Sequence, residues 1–384
     1  MISQYDSVPS PLAAAIFLNY SLLNQTAQPV DPGFTITGYE NVVIQGNYAY
    51  AIGGGNPGFT LSIFDVTDCS APRVISYLTT GSVPWVSGPP YYLNGSYNMW
   101  IDGIYLYVAS SGSSYLYIVN VANPFAPFNV SRLLISGSPG SIYGIAYQAG
   151  YCYLATQSTG LVVVDVGGGA GGGTITAPVQ TYQEGGGVKS FGVAISGSTL
   201  YTTQYTTSVY TIRQIKSWTL VGVGSVTVPH LLQSLQVTTA GEALGVSVYQ
   251  NTAYVTVSAT GVNSINLIDI TNPSSMSNIS QIASANTFNS AFTAQAASFG
   301  AGNTILYIPS GKNAVYGGAI DSYDVTIRAT PVHIAQTTTG VANSVFGGIA
   351  LSNGYIFCAD YGPVSTNGNL DIFSQDNTSL SRII

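Results

Sequence analysis

The stretch LYIVNVANPFAP, residues 116–127, joins an apolar, partly β-branched run to an asparagine and a proline-containing turn. Short runs of this kind, bounded by turn residues, predict β-strands. Four related stretches occur elsewhere in the chain: LSIFDVTD at 61–68, GLVVVDVGG at 160–168, INLIDITN at 265–272 and IDSYDVTI at 320–327. A strand motif that recurs five times indicates a protein built from repeated units.

A second repeated segment carries an aromatic residue inside a strand-like run. Successive aromatics are separated by 46 to 57 residues: Tyr50, Tyr107, Tyr153, Tyr201, Tyr254, Tyr307 and Phe357. A segment of small and apolar residues precedes several of them, such as GIAY at 144–147 and GVAI at 192–195, with a turn rich in Gly and Asn between. With the strand of the opening motif and one more after its turn, each unit has four predicted strands.

Units of four antiparallel strands and 40 to 50 residues are typical of β-propeller blades. Small residues suit the innermost strand, where the blades converge and a large side chain would clash. The sequence therefore predicts an all-β fold, a seven-bladed β-propeller of four-stranded antiparallel blades over residues 34–384, preceded by an N-terminal arm of residues 1–33.

Some assignments within this repeat are weaker. VYTIRQI at 209–215 and LDIFSQD at 370–376 are predicted as the third strands of blades four and seven. FTITGYE at 34–40 and LSRII at 380–384 both resemble a fourth strand. We expect one of these two segments to close the ring by pairing the two ends of the chain in one blade.

The units resemble LVIVD repeats, in which an aromatic strand is followed by a strand and turn of the type LxIVDVSNPxxP. The nearest copies are residues 116–127 and 265–276, and LSIFDVTDCSAP at 61–72 is similar. The resemblance covers most of residues 41–384, is strong in blades one, two, three and five, and is loose in blade four, where Arg213 replaces the Asp. It implies a propeller of the kind associated with bacterial and archaeal surfaces, and it implies no catalytic motif.

Composition limits the partners. The chain has eight Lys and Arg residues, spread singly, and a net charge of −7, which argues against a nucleic-acid-binding surface. No run approaches the roughly 18 consecutive apolar residues of a membrane span. Cys69, Cys152 and Cys358 lack metal-ligand spacing, and we expect Cys152 and Cys358 to be buried free thiols.

The usual motifs of catalytic and cofactor sites are missing from the sequence. His230 and His333 lie in different units, without a neighbouring carboxylate and outside any zinc-binding pattern. The glycine-rich segments 165–176 and 184–190 lack the spacing of a phosphate-binding loop. We therefore predict no catalytic, cofactor-binding or metal-binding residue, no cofactor and no enzymatic activity.

A recurring Asp or Asn ends the third strand of five units: Asp65, Asn120, Asp165, Asp269 and Asp324. These residues could form a ring of carboxylates. The better interpretation is architectural, because an Asx residue at the end of a strand accepts hydrogen bonds from the backbone of the following turn.

The connections between strands two and three and the connections between blades vary in length. In a propeller both kinds lie on the same face of the disc, so the length variation is predicted on one face. Such a face is where repeat proteins usually bind partners. The longest connection, residues 80–97, contains Trp85, Tyr91 and Tyr92, which we predict as a binding loop for a protein or a sugar. The alternative is that this loop packs on its own propeller.

Six Asn-x-Ser/Thr sequons are candidate glycosylation sites: Asn19, Asn24, Asn94, Asn129, Asn278 and Asn377. They are compatible with an exported or virion-exposed protein. The leading hypothesis is a non-enzymatic surface or virion protein that presents its loop-rich face to a protein or glycan, with residues 1–33 contacting a larger assembly. The alternatives are an extracellular propeller enzyme acting on polysaccharide and a soluble intracellular interaction scaffold.

Overall fold

The computed structural model describes residues 20–27, 35–56, 60–79, 98–110, 114–167, 178–185, 187–206, 213–222, 224–238, 241–259, 262–284, 294–299, 302–313, 317–338, 346–360 and 369–375. Within these ranges the chain forms 28 β-strands in seven antiparallel sheets of four. In the same ranges, no helix is long and apolar enough to cross a membrane.

Each sheet is one blade, and its strands follow one another from the centre of the disc outward. The innermost strands are β2 (Thr35–Gln45), β6 (Asn98–Asp102), β10 (Ile142–Gln148), β14 (Val188–Ser196), β18 (Glu242–Tyr249), β22 (Gln295–Phe299) and β26 (Phe346–Ser352). The second strands are β3 (Tyr48–Asn56), β7 (Tyr105–Ala109), β11 (Tyr151–Thr156), β15 (Thr199–Thr206), β19 (Thr252–Ala259), β23 (Asn303–Asn313) and β27 (Tyr355–Asp360). The third strands are β4 (Thr60–Asp65), β8 (Tyr115–Asn120), β12 (Gly160–Asp165), β16 (Arg213–Thr219), β20 (Val262–Asp269), β24 (Gly317–Asp324) and β28 (Asn369–Gln375). The outermost strands are β5 (Arg73–Thr79), β9 (Phe128–Leu134), β13 (Val179–Gln183), β17 (His230–Gln236), β21 (Ser277–Ser284), β25 (Val332–Thr338) and β1 (Tyr20–Ala27).

The blades form a closed ring. Each innermost strand contacts the innermost strands of both neighbouring blades, and β2 contacts β26 where the first blade meets the last. The predicted seven-bladed propeller is therefore confirmed.

The core is divided into seven apolar layers, one at each interface between blades. The seven aligned aromatics all lie in second strands and are at most 4% exposed: Tyr50, Tyr107, Tyr153, Tyr201, Tyr254, Tyr307 and Phe357. Burying side chains of this size contributes roughly 1.5–3 kcal/mol each. The recurring aromatic is therefore a packing residue, and its repetition spaces the blades evenly.

Small residues in the innermost strands let the backbones of adjacent blades approach one another. A Cβ atom added to Gly192 of blade four would lie 2.5 Å from the backbone nitrogen of Val246 in blade five. A Cβ atom on Gly144 would lie 2.6 Å from the carbonyl oxygen of Phe191. The small–apolar alternation predicted for these strands therefore has the expected steric origin.

The strand that closes the ring comes from a segment that the sequence did not indicate. β1 pairs antiparallel with β28 from Tyr20↔Gln375 to Ala27↔Asn369, so the last blade takes three strands from the C-terminal part of the chain and its outermost strand from residues 20–27. FTITGYE was wrongly predicted as the end of a fourth strand, because residues 35–45 form the innermost strand of blade one. LSRII lies outside the described residues. The predicted arm of residues 1–33 thus contains one strand of the propeller.

The third strand of blade four is shifted from its predicted position. It spans Arg213–Thr219 rather than residues 209–215, and Thr219 occupies the place of the recurring Asp. Thr219 pairs with Thr199 as Asp65 pairs with Tyr48 in blade one. The Thr219 hydroxyl accepts a hydrogen bond from Val221 N at 3.3 Å. Arg213 is therefore not the counterpart of the recurring Asp. The prediction was wrong because short apolar runs resemble one another in sequence, and the register of β16 is set only by its pairing with β15.

The two ends of the blades differ as predicted, with two exceptions. The turn face carries the connections between strands one and two and between strands three and four; the latter span seven residues in blades one, two, five and six (66–72, 121–127, 270–276 and 325–331). The loop face carries the other connections, which vary in length. On the turn face, however, the connections 166–178 and 220–229 of blades three and four are longer, so length variation is not confined to the loop face.

The closing strand can be tested by truncation. A chain beginning at residue 28 leaves the edge of β28 unpaired, and we expect its melting temperature to fall by roughly 5 °C or more relative to a chain beginning at residue 20. A synthetic peptide of residues 20–27 added in trans should restore part of the loss by adding a strand to the open edge. Equal melting temperatures for the two truncations would contradict this assignment.

The close approach of the inner strands can be tested with two glycines. Gly192→Ala should destabilise the fold by about 2 kcal/mol, because the new methyl group meets the backbone of blade five. Gly197 is the matched control: it lies in a turn at φ +58 with nothing within 4 Å of an added Cβ, so Gly197→Ala should cost only about 1 kcal/mol of backbone strain. Chemical denaturation measures both, and an equal or smaller loss for Gly192→Ala would refute the steric argument.

Candidate functional site

The recurring Asp and Asn residues cap turns, as predicted. In each case the side-chain Oδ1 accepts a hydrogen bond from the backbone N–H two residues later, at 2.8 to 3.0 Å: Asp65 from Thr67, Asn120 from Ala122, Asp165 from Gly167, Asp269 from Thr271 and Asp324 from Thr326. The residue between donates its own N–H to a carbonyl in the turn joining strands one and two, as Val66 does to Asn47 O at 2.8 Å, or in blade six to Thr304 O at the start of the second strand. These residues hold the turn face together.

The central channel offers a cavity of about 280 Å³, lined by the innermost strands of all seven blades. Its polar groups include the amides of Asn41, Asn98 and Gln295, and its large rings are Trp100, Tyr143 and Phe191. None of the lining residues is an Asp, Glu, Lys, Arg or His. The channel can therefore form hydrogen bonds and ring contacts, but its walls hold no carboxylate or imidazole for acid–base chemistry.

An aromatic stack stands in this channel between blades three and four. The rings of Tyr143 and Phe191 are 4.2 Å apart and nearly parallel, at 6°, and Phe191 stacks in turn on Tyr205 at 5.3 Å. The ammonium group of Lys189 lies 5.4 Å from the centre of the Tyr205 ring. Tyr143 and Phe191 are only partly buried, so part of this stack faces the channel.

The stack lies toward the loop face because Tyr143 and Phe191 are in the first halves of β10 and β14, and both residues lie in β-bulges. Tyr143 lies between Ile142 and Gly144, where the β10–β11 register shifts, and Phe191 lies in the shift between Ser190 and Val193. A bulge inserts an unpaired residue and re-aims its side chain. The sequence analysis did not identify this stack. A signal was present, because Tyr143 and Phe191 each directly precede the small-residue motif, in YGIAY and FGVAI.

A partly buried ion pair lies between the same two blades. Glu184 of blade three accepts hydrogen bonds from the Lys216 ammonium and the Gln204 side-chain amide of blade four. The Lys216 and Glu184 side chains are only 12% and 11% exposed. Because each charge is matched, the pair helps to fix how blade four packs on blade three.

The comparison with protein families agrees with the repeated geometry. The LVIVD repeat model matches residues 39–80, 96–134, 139–168 and 240–283, which are blades one, two, three and five. The chain contains LVIVD repeats. These are the four blades in which the resemblance was strong in sequence, and no curated protein matches the chain.

Solved structures share the propeller fold of this chain at low identity. The β-propeller domain of Cps50 (Swd1) from Myceliophteria thermophila is 11% identical, with a TM-score of 0.60 over 93% of this chain and 99% of that one. A candidate 6-phosphogluconolactonase from Bacteroides fragilis is 7% identical, with a TM-score of 0.56 over 78% of this chain and 84% of that one. Saccharomyces cerevisiae Sqt1 is 9% identical, with a TM-score of 0.51 over 90% and 82%. At these identities the likeness shows the fold alone.

The LVIVD propeller also pairs a histidine with a carboxylate that lies 12 residues away in sequence. In blade six, His333 Nε2 is 3.1 Å from Asp321 Oδ1, and Gln336 Nε2 donates to the same oxygen at 3.1 Å. Asp321 is 5% exposed. Burial raises the pKa of its carboxyl above the usual value, and the bonds from His333 and Gln336 only partly oppose this. The expectation that His333 has no adjacent carboxylate was wrong, because β24 and β25 bring the two side chains together.

The predicted site residues fall in three groups. Trp85, Tyr91 and Tyr92 lie outside the described residues, as do the sequons Asn19, Asn94 and Asn377. Asn24 lies in β1, and Asn129 and Asn278 lie in the outermost strands β9 and β21, with Asn278 exposed. Cys152 and Cys358 are free and buried, as predicted, and burial raises the pKa of both thiols, which makes them poor nucleophiles.

The cost of burying Asp321 predicts a pH-dependent stability. A carboxyl whose pKa is raised in the folded state destabilises the fold when it is ionised, and this cost disappears as the pH falls through the raised pKa. Asp321→Asn should therefore be more stable than the parent at pH 8, by about 1 kcal/mol, and the difference should shrink toward pH 4. Melting temperatures across this range measure the effect.

Asp324 provides the control for this prediction. It lies in the same strand and caps a turn through Thr326 N, a role that Asn also fills. Asp324→Asn should change the melting temperature little at any pH. A pH-independent change in Asp321→Asn would contradict the assigned cause.

Proposed function

We propose that this LVIVD propeller is a non-enzymatic binding protein of a cell surface or virion, and that it presents its loop face to a protein or glycan. The observation that carries the proposal is the aromatic stack of Tyr143, Phe191 and Tyr205 beside an uncharged channel. Aromatic rings supply contact area at little entropic cost, and neighbouring amides supply hydrogen bonds. Binding surfaces commonly combine these two kinds of group.

The arrangement of the connections supports the same face. The predicted binding loop with Trp85, Tyr91 and Tyr92 joins β5 to β6, and both strand ends adjoining it belong to the loop face. The end of β5, the start of β6 and the stack therefore belong to the same end of the disc. A rigid ring that carries variable connections on one end is the common arrangement for recognition by repeat proteins.

The surface location is supported by composition and by the sequons. Only 6% of the residues are charged, and the exposed Asn278 lies on an outermost strand, where its side chain is accessible to a glycosylating enzyme. Residues 1–33 remain the predicted contact with a larger assembly, with residues 20–27 now assigned to the last blade.

Enzymatic activity is the competing hypothesis, since two structural neighbours are candidate 6-phosphogluconolactonases. A phosphorylated sugar requires cationic groups in its site. The described lining of the channel supplies amides and aromatic rings instead. The uncharged lining favours binding over turnover.

The proposal is tested by capture with matched variants. Immobilised protein is exposed to the envelope or particle fraction of its native source and to a glycan array. Trp85→Ala combined with Phe191→Ala should reduce the retained protein or glycan roughly tenfold or more, because aromatic anchors carry much of the binding energy. Phe125→Ala, which removes a 62% exposed ring from the turn face, should leave capture unchanged.

Three results would overturn the proposal. The first is capture that depends on Phe125 and not on Trp85 or Phe191. The second is recovery of the native protein only from the soluble cytosol, with Asn278 unmodified. The third is turnover of 6-phosphogluconolactone or a polysaccharide by the purified protein.

A further inference from the structure

A single arginine distinguishes the turn face of blade six from its equivalents. In the connection between strands three and four, Arg328 takes the place of Pro124 in blade two and Pro273 in blade five. In all three blades the backbone carbonyl of this residue accepts a hydrogen bond from a serine hydroxyl of the preceding blade, as Ser280 donates to Arg328 O at 2.6 Å. Because the backbone makes this contact in all three blades, the contact does not depend on the arginine side chain.

The side chain of Arg328 is anchored at one end only. Its Nη1 group donates to Asn251 O at 3.0 Å, Thr252 Oγ1 at 3.3 Å and Asp269 Oδ1 at 3.3 Å, all in blade five. Among the described residues, the Nε and Nη2 groups have no acceptor. The side chain is 36% exposed. One edge of a fixed guanidinium is therefore available to a ligand.

This guanidinium lines a cavity of about 220 Å³ between blades five and six. The walls carry hydroxyl and amide side chains, including two tyrosines: Tyr249, Gln250, Asn251, Thr252, Tyr254, Thr304 and Thr326. The volume suits a ligand smaller than a drug-sized molecule, on the scale of a monosaccharide or an amino acid. The cavity lies on the turn face, away from the proposed binding face.

Asp269 forms an ion pair with Arg328 through Nη1 and leaves the Nε and Nη2 edge free for hydrogen bonds. Its Oδ1 accepts hydrogen bonds from Thr271 N at 3.0 Å and Thr271 Oγ1 at 2.6 Å. These bonds, and to a lesser extent Arg328, lower the pKa of its carboxyl. Asp269 is thus a turn cap that also holds Nη1 in place, so that the planar group is presented in one orientation.

We propose that this cavity binds the carboxylate of a small polar ligand through the Nε and Nη2 edge of Arg328, with the threonine and tyrosine hydroxyls contacting the remainder. The planar edge of a guanidinium matches the two oxygens of a carboxylate. A phosphate dianion is a poorer fit, because Arg328 is the one cation among the described residues that line the cavity, and Asp269 lies beside it.

The test uses isothermal titration with three probes: glucuronate, N-acetylalanine and glucose. Glucuronate and N-acetylalanine present the carboxylate on a sugar and on an amino acid, whereas glucose lacks it. We expect at least one carboxylate to bind and glucose to bind at least tenfold more weakly. A preference for glucuronate would identify a sugar acid as the source, and a preference for N-acetylalanine would identify a peptide terminus.

Two variants connect the binding to the arginine. Arg328→Gln should weaken the carboxylate affinity roughly tenfold or more, and Arg328→Lys should rescue it only in part, because an ammonium lacks the planar edge. Arg73→Gln is the matched control: Arg73 pairs at 3.1 Å with Asp65, the counterpart of Asp269 in blade one, and does not line the cavity. Its affinity should equal that of the parent.

The proposal is overturned if neither carboxylate binds, if glucose binds equally well, or if Arg328→Gln retains full affinity with an unchanged melting temperature. If Arg328→Gln fails to fold, Arg328→Lys decides, since it keeps the charge and the aliphatic stem. Full affinity in Arg328→Lys would then refute recognition by the guanidinium edge. Failure here leaves the loop-face proposal unaffected, because the two sites lie on opposite faces.

Discussion

Packing between adjacent blades is the interaction on which the whole structure depends. A four-stranded blade has two apolar faces and cannot bury either of them alone, so each blade needs a neighbouring blade on both sides. The seven apolar layers lie between these neighbours. The ring satisfies this only when it is closed. The layer formed by Tyr39, Val42 and Phe64 of blade one against Phe357 and Leu370 of blade seven makes that closure, and β1 completes the sheet of the last blade.

Repeated hydrogen bonds, rather than ion pairs, make most of the polar contacts within and between the blades. The turn caps repeat from blade to blade, and serine or threonine hydroxyls bond to the next blade, as Thr181 does to Thr227 O at 3.1 Å. Within the described residues there are four ion pairs, and the least exposed of them, Lys216–Glu184, is satisfied by further hydrogen bonds. A buried pair of this kind contributes more to the arrangement of two blades than to net stability.

The two faces of the disc carry different chemistry. The loop-side stack of Tyr143, Phe191 and Tyr205 stands beside an uncharged channel, which favours contact with rings and amides. The turn face carries the anchored guanidinium of Arg328 above a cavity rich in hydroxyl groups. Both features arise where two blades meet, because an interface between repeats is where side chains depart from the repeated pattern without disturbing a sheet.

The sequence by itself determined the elements that rest on local chemistry. Strand alternation, the seven aromatics and the turn-capping Asp and Asn residues each recur at a fixed place in the repeat, so their spacing predicts the fold class and the number of blades. Only the tertiary structure decided which segment closes the ring, the register of Arg213–Thr219, and the meetings of His333 with Asp321, Tyr143 with Phe191 and Arg328 with Asp269. The physical reason is the same for all of these features. Each of them depends on pairing between strands or on packing between blades, and strand pairing and blade packing bring together residues that are distant in the sequence.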